Sequence, residues 1–471
     1  MLSTVSSASA AVPAPAAGTR LADVVRENGV VGAGGAGFPA HVKLGGECRT
    51  VIANGAECEP LLQSDKYIME AEAEKIAAAL DVVVRELKAK EGVIAVKEKN
   101  AAAVERLGEA VGRTGAGSRG ALSLHLLENF YPAGDEHVLV YEVTGRVVPQ
   151  GGIPVAVGAV VFNVETLLNI YNAVFENKPV TMRTVTCTGE VAKPAVLRAP
   201  IGVPVREIIR QCGGALVEEP ALVLGGPMMG KVTTDLDTPL DKVTGGVIVL
   251  PRSHELVQRK IRPLDVQVRI SRSACCQCVL CSELCPREML GHDLYPHLIM
   301  RQINYGLELP EQALAAAALC CECGVCEVYA CPMGLSPSYI NSVIKQQFAE
   351  KGYKPAFDAG EPVPHEMREA RKVPTERVVQ RCMLGGYDQK IYDRGRQVEA
   401  HRVEVPLSQH IGAPAEPVVS EGTEVGCGDL LGELPEGSLG ARVHAPIAGK
   451  ITLVDDSRVM ITAGSVSGAG S

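Results

Sequence analysis

The chain has no tryptophan, six phenylalanines in 471 residues, and no surplus of positive charge. Each shortage removes a class of function. Single-stranded nucleic acid needs aromatic platforms to stack on, and few are available. Phosphate contacts need clustered Lys and Arg, whereas 46 basic residues here face 55 acidic ones for a net charge of −9. No nucleic-acid partner is expected. Long apolar runs are missing too. The longest uncharged candidate, 147–164, holds two prolines, three glycines, Gln150 and Asn163, which would leave backbone groups unsatisfied in a bilayer helix. It reads as buried strand and turn, and no membrane insertion is expected. Residues 1–19 are rich in Ala, Ser and Pro without a basic segment before an apolar core, so they read as a disordered tail and not as a secretory signal.

Cysteine is abundant, and it is unevenly placed. Ten of the sixteen fall in two tight groups, Cys275–Cys285 and Cys320–Cys331. Without a signal peptide, such clustering points to metal in a reducing, cytoplasmic setting. The first group spaces Cys275, Cys278, Cys281 and Cys285 by two, two and three residues and ends on Pro286. That is the bacterial ferredoxin run for a four-iron cluster, whose last cysteine ligates the other cluster when two are present. The second group, Cys320, Cys323, Cys326 and Cys331 before Pro332, has four residues in its last gap. The expected ligand sets are therefore Cys275, Cys278, Cys281 and Cys331 for one 4Fe-4S cluster, and Cys320, Cys323, Cys326 and Cys285 for the other. Cys276 and Cys321 have the wrong gaps. Zinc sites also use Cys-x-x-Cys pairs, but they need neither the third cysteine nor the fourth followed by proline. The apolar spacing of Leu298, Ile299, Ile303, Leu307 and 313–319 predicts helices flanking the clusters.

Near the amino terminus, Gly32-Ala-Gly34-Gly35-Ala-Gly37-Phe38-Pro39 precedes Lys43. Four glycines in six residues let backbone approach a phosphate, and Lys43 can add charge. Three further segments follow or end apolar runs, where α/β proteins carry ligand loops. They are Asn54-Gly-Ala-Glu57-Cys-Glu59-Pro60, Tyr131-Pro-Ala-Gly134-Asp135-Glu136 and Phe162-Asn163-Val-Glu165-Thr166.

On these motifs the chain resembles the FMN- and NADH-binding subunit of respiratory complex I, and still more the RnfC-type subunit of ion-pumping NADH–ferredoxin oxidoreductases. The resemblance implies a Rossmann-like flavin domain. It assigns Gly34, Gly35, Gly37, Lys43, Asn54, Asn163 and Thr166 to FMN, and Phe38, Glu57, Glu59 and Glu136 to the flavin surroundings or nicotinamide. Ala33 stands where Arg is usual and Ala56 where Asp is usual, departures that bear on NADH more than on FMN. Strands between Thr184 and Gly230 are similar to the β-grasp (SLBB) module of the same relatives, with Met228 and Met229 read as packing residues. The segment from Leu407 to Lys450 resembles a barrel-sandwich hybrid, in which Lys450 lacks the usual lipoylation hairpin and reads as structural.

The expected architecture is thus multidomain α/β: a tail over 1–19, an FMN/NADH domain over 20–180, an SLBB module over 181–250, and a two-cluster α-helical ferredoxin domain over 251–350. A linker over 351–395, a barrel-sandwich hybrid over 396–464 and a tail over 465–471 complete it. Here the sandwich follows the clusters, whereas RnfC-type subunits carry it first. That order, the four-residue gap before Cys331, and Leu290-Gly-His292-Asp-Leu-Tyr-Pro-His297 resemble the cobalamin reductases of propanediol-utilisation microcompartments. His292 and His297 read as structural. The resemblance implies electrons passing from NADH through FMN and two 4Fe-4S clusters to a corrinoid. It also implies an adenosyltransferase and shell proteins as partners, and the lumen of a bacterial microcompartment as the location. The alternatives are an electron-input subunit of a membrane-bound RnfC-like complex and a shell-associated scaffold.

Overall fold

The computed structural model describes residues 20–115, 121–306, 311–357 and 360–464. The two expected tails and Leu307 lie outside them.

The amino-terminal unit opens with α1 (Leu21–Glu27) and is built on four parallel strands: β1 (Thr50–Gly55), β2 (Glu91–Lys97), β3 (Ala121–Leu127) and β5 (Ala159–Asn163). Their order is β3-β2-β1-β5. β1 and β2 are apolar on both faces, as parallel strands covered by helices must be. The crossovers are α2 (Ser64–Ala71), α3 (Ala73–Glu86) and α4 (Ala101–Gly115), then β4 (Phe130–Tyr131) and α5 (Glu136–Thr144); α6 (Val164–Glu176) follows β5. α3 buries Ile76, Leu80, Val83 and Val84, and its Ala-rich middle allows close packing. β1 pairs with β2 on one side and with β5 on the other. The chain therefore reverses direction across the sheet at β1, and a crevice opens at the carboxyl ends of β1 and β5. The uncharged stretch 147–164 folds as expected, with a turn over Pro154–Val157 leading into β5.

A second sheet contains β6 (Met182–Gly189), β7 (Ala195–Pro200), β8 (Pro220–Leu224), β9 (Lys231–Thr233) and β10 (Gly246–Pro251), with α7 (Val205–Gln211) against it. Met228 is buried, but Met229 is 56% exposed and does not pack as expected. The helical unit follows, with α8 (Glu255–Lys260), α9 (Leu264–Ala274), α10 (Leu280–Glu283), α11 (Pro286–Met289), α12 (Pro296–Tyr305), α13 (Glu311–Ala315) and α14 (Pro337–Glu350). α12 begins on Pro296 and ends at Gly306 in the left-handed conformation. Its Ile299 and Met300 pack with Ile340 and Ile344 of α14.

The segment 351–395 differs from the expected linker. It carries β11 (Val373–Pro374), α15 (Thr375–Arg381) and the start of β12 (Asp393–Gln397). β11 pairs with β4, and β12 extends the second sheet beside β7. Charge on its surface hid the buried Val373, Val378, Val379 and Cys382 that anchor it.

The carboxyl-terminal unit has β13 (Arg402–Pro406), β14 (Glu416–Pro417), β15 (Glu424–Val425), β16 (Leu430–Glu433), β17 (Val443–His444), β18 (Gly449–Val454) and β19 (Arg458–Thr462). They form two small sheets, β13-β19-β18-β15 and β14-β16-β17. Lys450 lies on β18 opposite Glu424. Buried Lys242 fastens this unit to the others: its Nζ donates to Gly29 O and Arg442 O, both at 2.8 Å, and its backbone N–H donates to Gln409 Oε1. Among the described residues no helix is long and apolar enough to cross a membrane.

Burial pushes the Lys242 ammonium down to about 7. Between there and the ordinary lysine value the unfolded chain binds the proton and the folded chain does not, so this residue makes stability rise with pH above about 7. The slope is at most about 1.4 kcal/mol per pH unit. In Lys242→Met that slope is lost. The difference in Tm between parent and variant should change steadily from pH 7 to 9 and stay flat below pH 7. A constant difference across both ranges would show that Lys242 stays charged.

Candidate functional site: a glycine-loop crevice beside two cysteine cavities

The crevice is floored by Asn54 and Asn163, which lie in register at the ends of β1 and β5. The glycine loop lies against it, and a Cβ on Gly34 would come within 3.5 Å of Asn163 Cβ. The base of the loop is fixed from several sides. Gly32 N–H donates to Phe38 O, and Ile411 N–H donates to Gly37 O. Ala33 N–H donates to Thr166 Oγ1 at 2.9 Å, while Arg183 Nη2 donates to Ala33 O at 2.7 Å. Arg183 is itself buried in an ion pair with Glu165, whose other oxygen accepts from Thr184 N–H at 2.8 Å. The tip at Gly34 and Gly35 is exposed. Gly35 has φ +111°, and a Cβ there would meet nothing within 4 Å. A rigid base under an open glycine tip is the cradle a phosphate-bearing group requires. Ala33 is buried.

Lys43 Nζ donates to Glu136 Oε1 and to Val161 O, each at 2.9 Å, and lies about 6 Å from the ring centres of Phe38 and Phe162. The loop lysine and the acidic loop before α5 therefore meet on one wall. Asn54 Nδ2 donates to Gly134 O at 2.9 Å, tying the same acidic loop to β1. Asn163 caps α6 through Oδ1 and donates from Nδ2 to Asp65 Oδ2 at 2.7 Å. Burial, with Glu165 beside it, pushes the Asp65 carboxyl up to about 6.

Glu57 and Glu59, expected in the flavin surroundings or at nicotinamide, both bond to backbone. Glu57 accepts from the N–H groups of Asp65 and Lys66 at the start of α2. Glu59 accepts from Met228 and Met229 N–H, both at 2.9 Å. Its carboxylate fits into the turn after β8 so closely that a Cβ on Gly226 would lie 2.0 Å from Oε2. Both carboxylates are committed to backbone. The reason lies in the fold, since free N–H groups at a helix start and a tight turn compete for nearby acids.

The cysteines gather around two cavities. One, of about 100 Å³, is lined by Cys275, Cys278, Cys281 and Cys331, together with Cys276 and His297. The smaller is lined by Cys285, Cys320, Cys323 and Cys326, with Cys321. We call them the outer and inner cavities, because Cys276 and Cys278 are exposed whereas all four of Cys285, Cys320, Cys323 and Cys326 are buried. The thiols surround a volume: among the described residues no three His, Cys, Asp or Glu side chains converge on a single ion position. The two loops share an unusual backbone. Gln277 and Val279 flank Cys278 at φ +54° and +68°, and Glu322 and Gly324 flank Cys323 at φ +58° and +75°. A left-handed valine is costly and persists only where the surroundings impose it. Such alternation shapes backbone N–H groups into the anion-binding nests found at Fe–S sites. Burial pushes the Cys281 thiol up to about 12 and that of Cys320 up to about 11, so ligation must take their protons. These donors fit two four-iron clusters. His297 Nδ1 is 2.7 Å from Ser282 Oγ at the outer cavity, while His292 Nε2 is 2.9 Å from Val148 O and buried.

The crevice and the inner cavity share a seam. Tyr131 Oη donates to Cys323 O at 2.7 Å, and Arg287 Nη2 donates to Asp135 Oδ2 at 2.9 Å. Sequence reading missed Tyr131, Asp135 and Arg287, as well as Asp65 and Arg183. Two of them, Tyr131 and Asp135, sit inside a segment it singled out. Arg287 carried a weaker signal, its position two residues after a ligand cysteine.

Comparisons with known proteins agree with this layout. Residues 25–172 match the Nuo51 FMN-binding domain, 184–232 the SLBB domain, 274–336 a 4Fe-4S dicluster domain, and 395–467 the RnfC barrel sandwich hybrid domain. Cobalamin reductase PduS of Citrobacter freundii is 41% identical over 93% of this chain and 96% of its own. The protein of the same name from Salmonella typhimurium is 39% identical with the same coverage. One component of the Na(+)-translocating ferredoxin:NAD(+) oxidoreductase complex of Acetobacterium woodii is 35% identical over 56% of this chain and 57% of its own. Similarity along nearly the whole of both chains, across all four modules, shows that this protein belongs to the PduS family.

Proposed function

We propose that the protein is an NADH-dependent oxidoreductase that delivers electrons to a corrinoid, cob(III)alamin or cob(II)alamin. The observation that carries this reading is the seam, since the loop walling the crevice also touches the backbone of an inner-cavity cysteine. When bound, FMN supplies exchange between hydride and single electrons, and the two 4Fe-4S clusters supply single-electron carriage.

The chain's own groups bind, orient and insulate. Gly34, Gly35 and Gly37 offer backbone to the FMN phosphate, on a base held by Thr166 and Arg183. Asn54 and Asn163 fix the floor, and Lys43 holds the wall through Glu136. Phe38 and the half-exposed Glu136 are the groups available to nicotinamide. Cys285, Cys320, Cys323 and Cys326 hold the inner cluster, and Cys275, Cys278, Cys281 and Cys331 the outer. The corrinoid acceptor comes to this chain from the names of its relatives. Location in a microcompartment lumen, with shell proteins and an adenosyltransferase as partners, belongs to the same proposal. The RnfC-like alternative is less favoured, because that relative aligns with little more than half of the chain while the PduS proteins align with 93%.

Two experiments test this. Gly35→Asp places a negative charge in the open tip and should weaken FMN binding roughly tenfold or more, about 1.4 kcal/mol, with iron content unchanged. Gly35→Asn imposes similar backbone strain without the charge and should bind more tightly than Gly35→Asp. Full flavin occupancy in the Asp variant, read from heat-released FMN, would place the site elsewhere.

The parent chain, purified anaerobically, should hold about eight irons and eight sulfides. Cys278→Ala should lose the outer cluster and keep the inner one. NADH should still bleach its flavin, while reduction of cob(III)alamin should fall by roughly tenfold or more. Corrinoid reduction as fast as in the parent, with excess FMN present, would show the clusters to be outside the electron path.

A further inference from the structure

One arginine lies between the crevice wall and the inner cavity. Arg287 is the second residue after Cys285, in the short helix that Pro286 starts, and its side chain is 9% exposed. One nitrogen, Nη2, reaches Asp135, which caps α5 with its other oxygen. The remaining donors, Nε and Nη1, are buried and have no hydrogen-bond partner. Three sulfurs lie within electrostatic reach of the guanidinium: Cys321, Cys285 and Cys323. Two of these are inner-cavity ligands. The neighbouring rings of His137 and His292, 5.5 Å apart, are held neutral by burial, so Asp135 is the counter-charge.

Buried donors are nearly always paired, and an orphan calls for a cause. A guanidinium beside cysteine sulfurs finds its acceptors once those sulfurs carry the charge of a bound cluster. Cluster potentials follow net charge and hydrogen bonds to sulfur, and in a dry site a fixed positive charge favours whichever redox state is more negative.

We propose that Arg287, held by Asp135, is the positioning residue that sets the reduction potential of the inner cluster and makes it the better acceptor on the flavin side. The geometry gives this role a direction. Tyr131 and Asp135 bond to Cys323 and Arg287 beside the inner cavity, while among the described residues no such bond joins the amino-terminal unit to the lining of the outer cavity. Electrons would thus arrive at the inner cluster and leave from the outer, more exposed one.

This inference rests on the assignment of two clusters to these cavities, and one experiment separates the two. The full chain is reconstituted anaerobically, iron and FMN are counted, and both clusters are titrated by EPR-monitored potentiometry. The Cys278→Ala background identifies the inner signal. Arg287→Gln should make reduction of the inner cluster at least tenfold less favourable, a downward shift of about 59 mV or more for one electron, and leave the outer cluster unmoved. Arg287→Lys keeps the charge and should stay nearer the parent. Asp135→Asn keeps the helix cap but removes the counter-charge, and should shift the inner potential upward. A parent chain without iron would overturn the cluster assignment itself. Full iron in Arg287→Gln with both potentials unmoved, or a shift confined to the outer cluster, would overturn the role of Arg287 alone. Should Arg287→Gln fail to take up iron, the upward shift in Asp135→Asn decides the matter, and its absence overturns the proposal.

Discussion

A buried hydrogen bond from Tyr131 to the carbonyl of Cys323 fixes the separation on which the rest of the protein depends. Electron transfer falls steeply with distance, so a crevice and a cysteine cavity on different modules are useful together only when their spacing is rigid. Tyr131 is held on both sides: it lies on β4, which pairs with β11, and its ring belongs to the same core as Val325 and Val328. The neighbouring Asp135–Arg287 ion pair lies in the same seam and is nearly dry. A buried pair of this kind is weak evidence for stability, so its value is better sought in geometry and charge.

The same economy of side chains runs through the crevice. Thr166, Asn163, Asn54, Glu57 and Glu59 each satisfy backbone or side-chain partners within the fold. In the proposed binding mode, ligand contact is left mainly to main chain at Gly34 and Gly35, and to the Lys43–Glu136 pair. Such a site is shaped before its ligand arrives, which spares the ordering of long side chains on binding.

What could be read from the sequence was set by how local each signal is. The ferredoxin runs are written in consecutive residues, so two sets of four could be read from them; the structure gathers those thiols around two cavities, with Cys276 beside one set and Cys321 beside the other. The glycine loop and the three segments at strand ends were equally visible, because strand ends and turns leave local marks. Pairings across long separations left none. Glu59 meets Met228 and Met229 more than 160 residues away, and Arg183 reaches Ala33 across 150. The segment 351–395 was misread for a related reason. Its buried side chains from Val373 to Leu384 sit among charged neighbours, and the apolar residues they pack with lie in distant parts of the chain.

That segment has a mechanical consequence. By pairing first with β4 and then with β7, it returns the chain to both earlier modules after the cluster unit has been made. The cluster unit is therefore anchored at each end and has no free arm. Proteins that carry cargo on a swinging domain bring the reactive group to successive stations, whereas this architecture is a fixed terminal. On the electron path proposed above, an acceptor would come to the exposed side of the cluster unit at Cys276 and Cys278, and no swinging arm would go out to meet it.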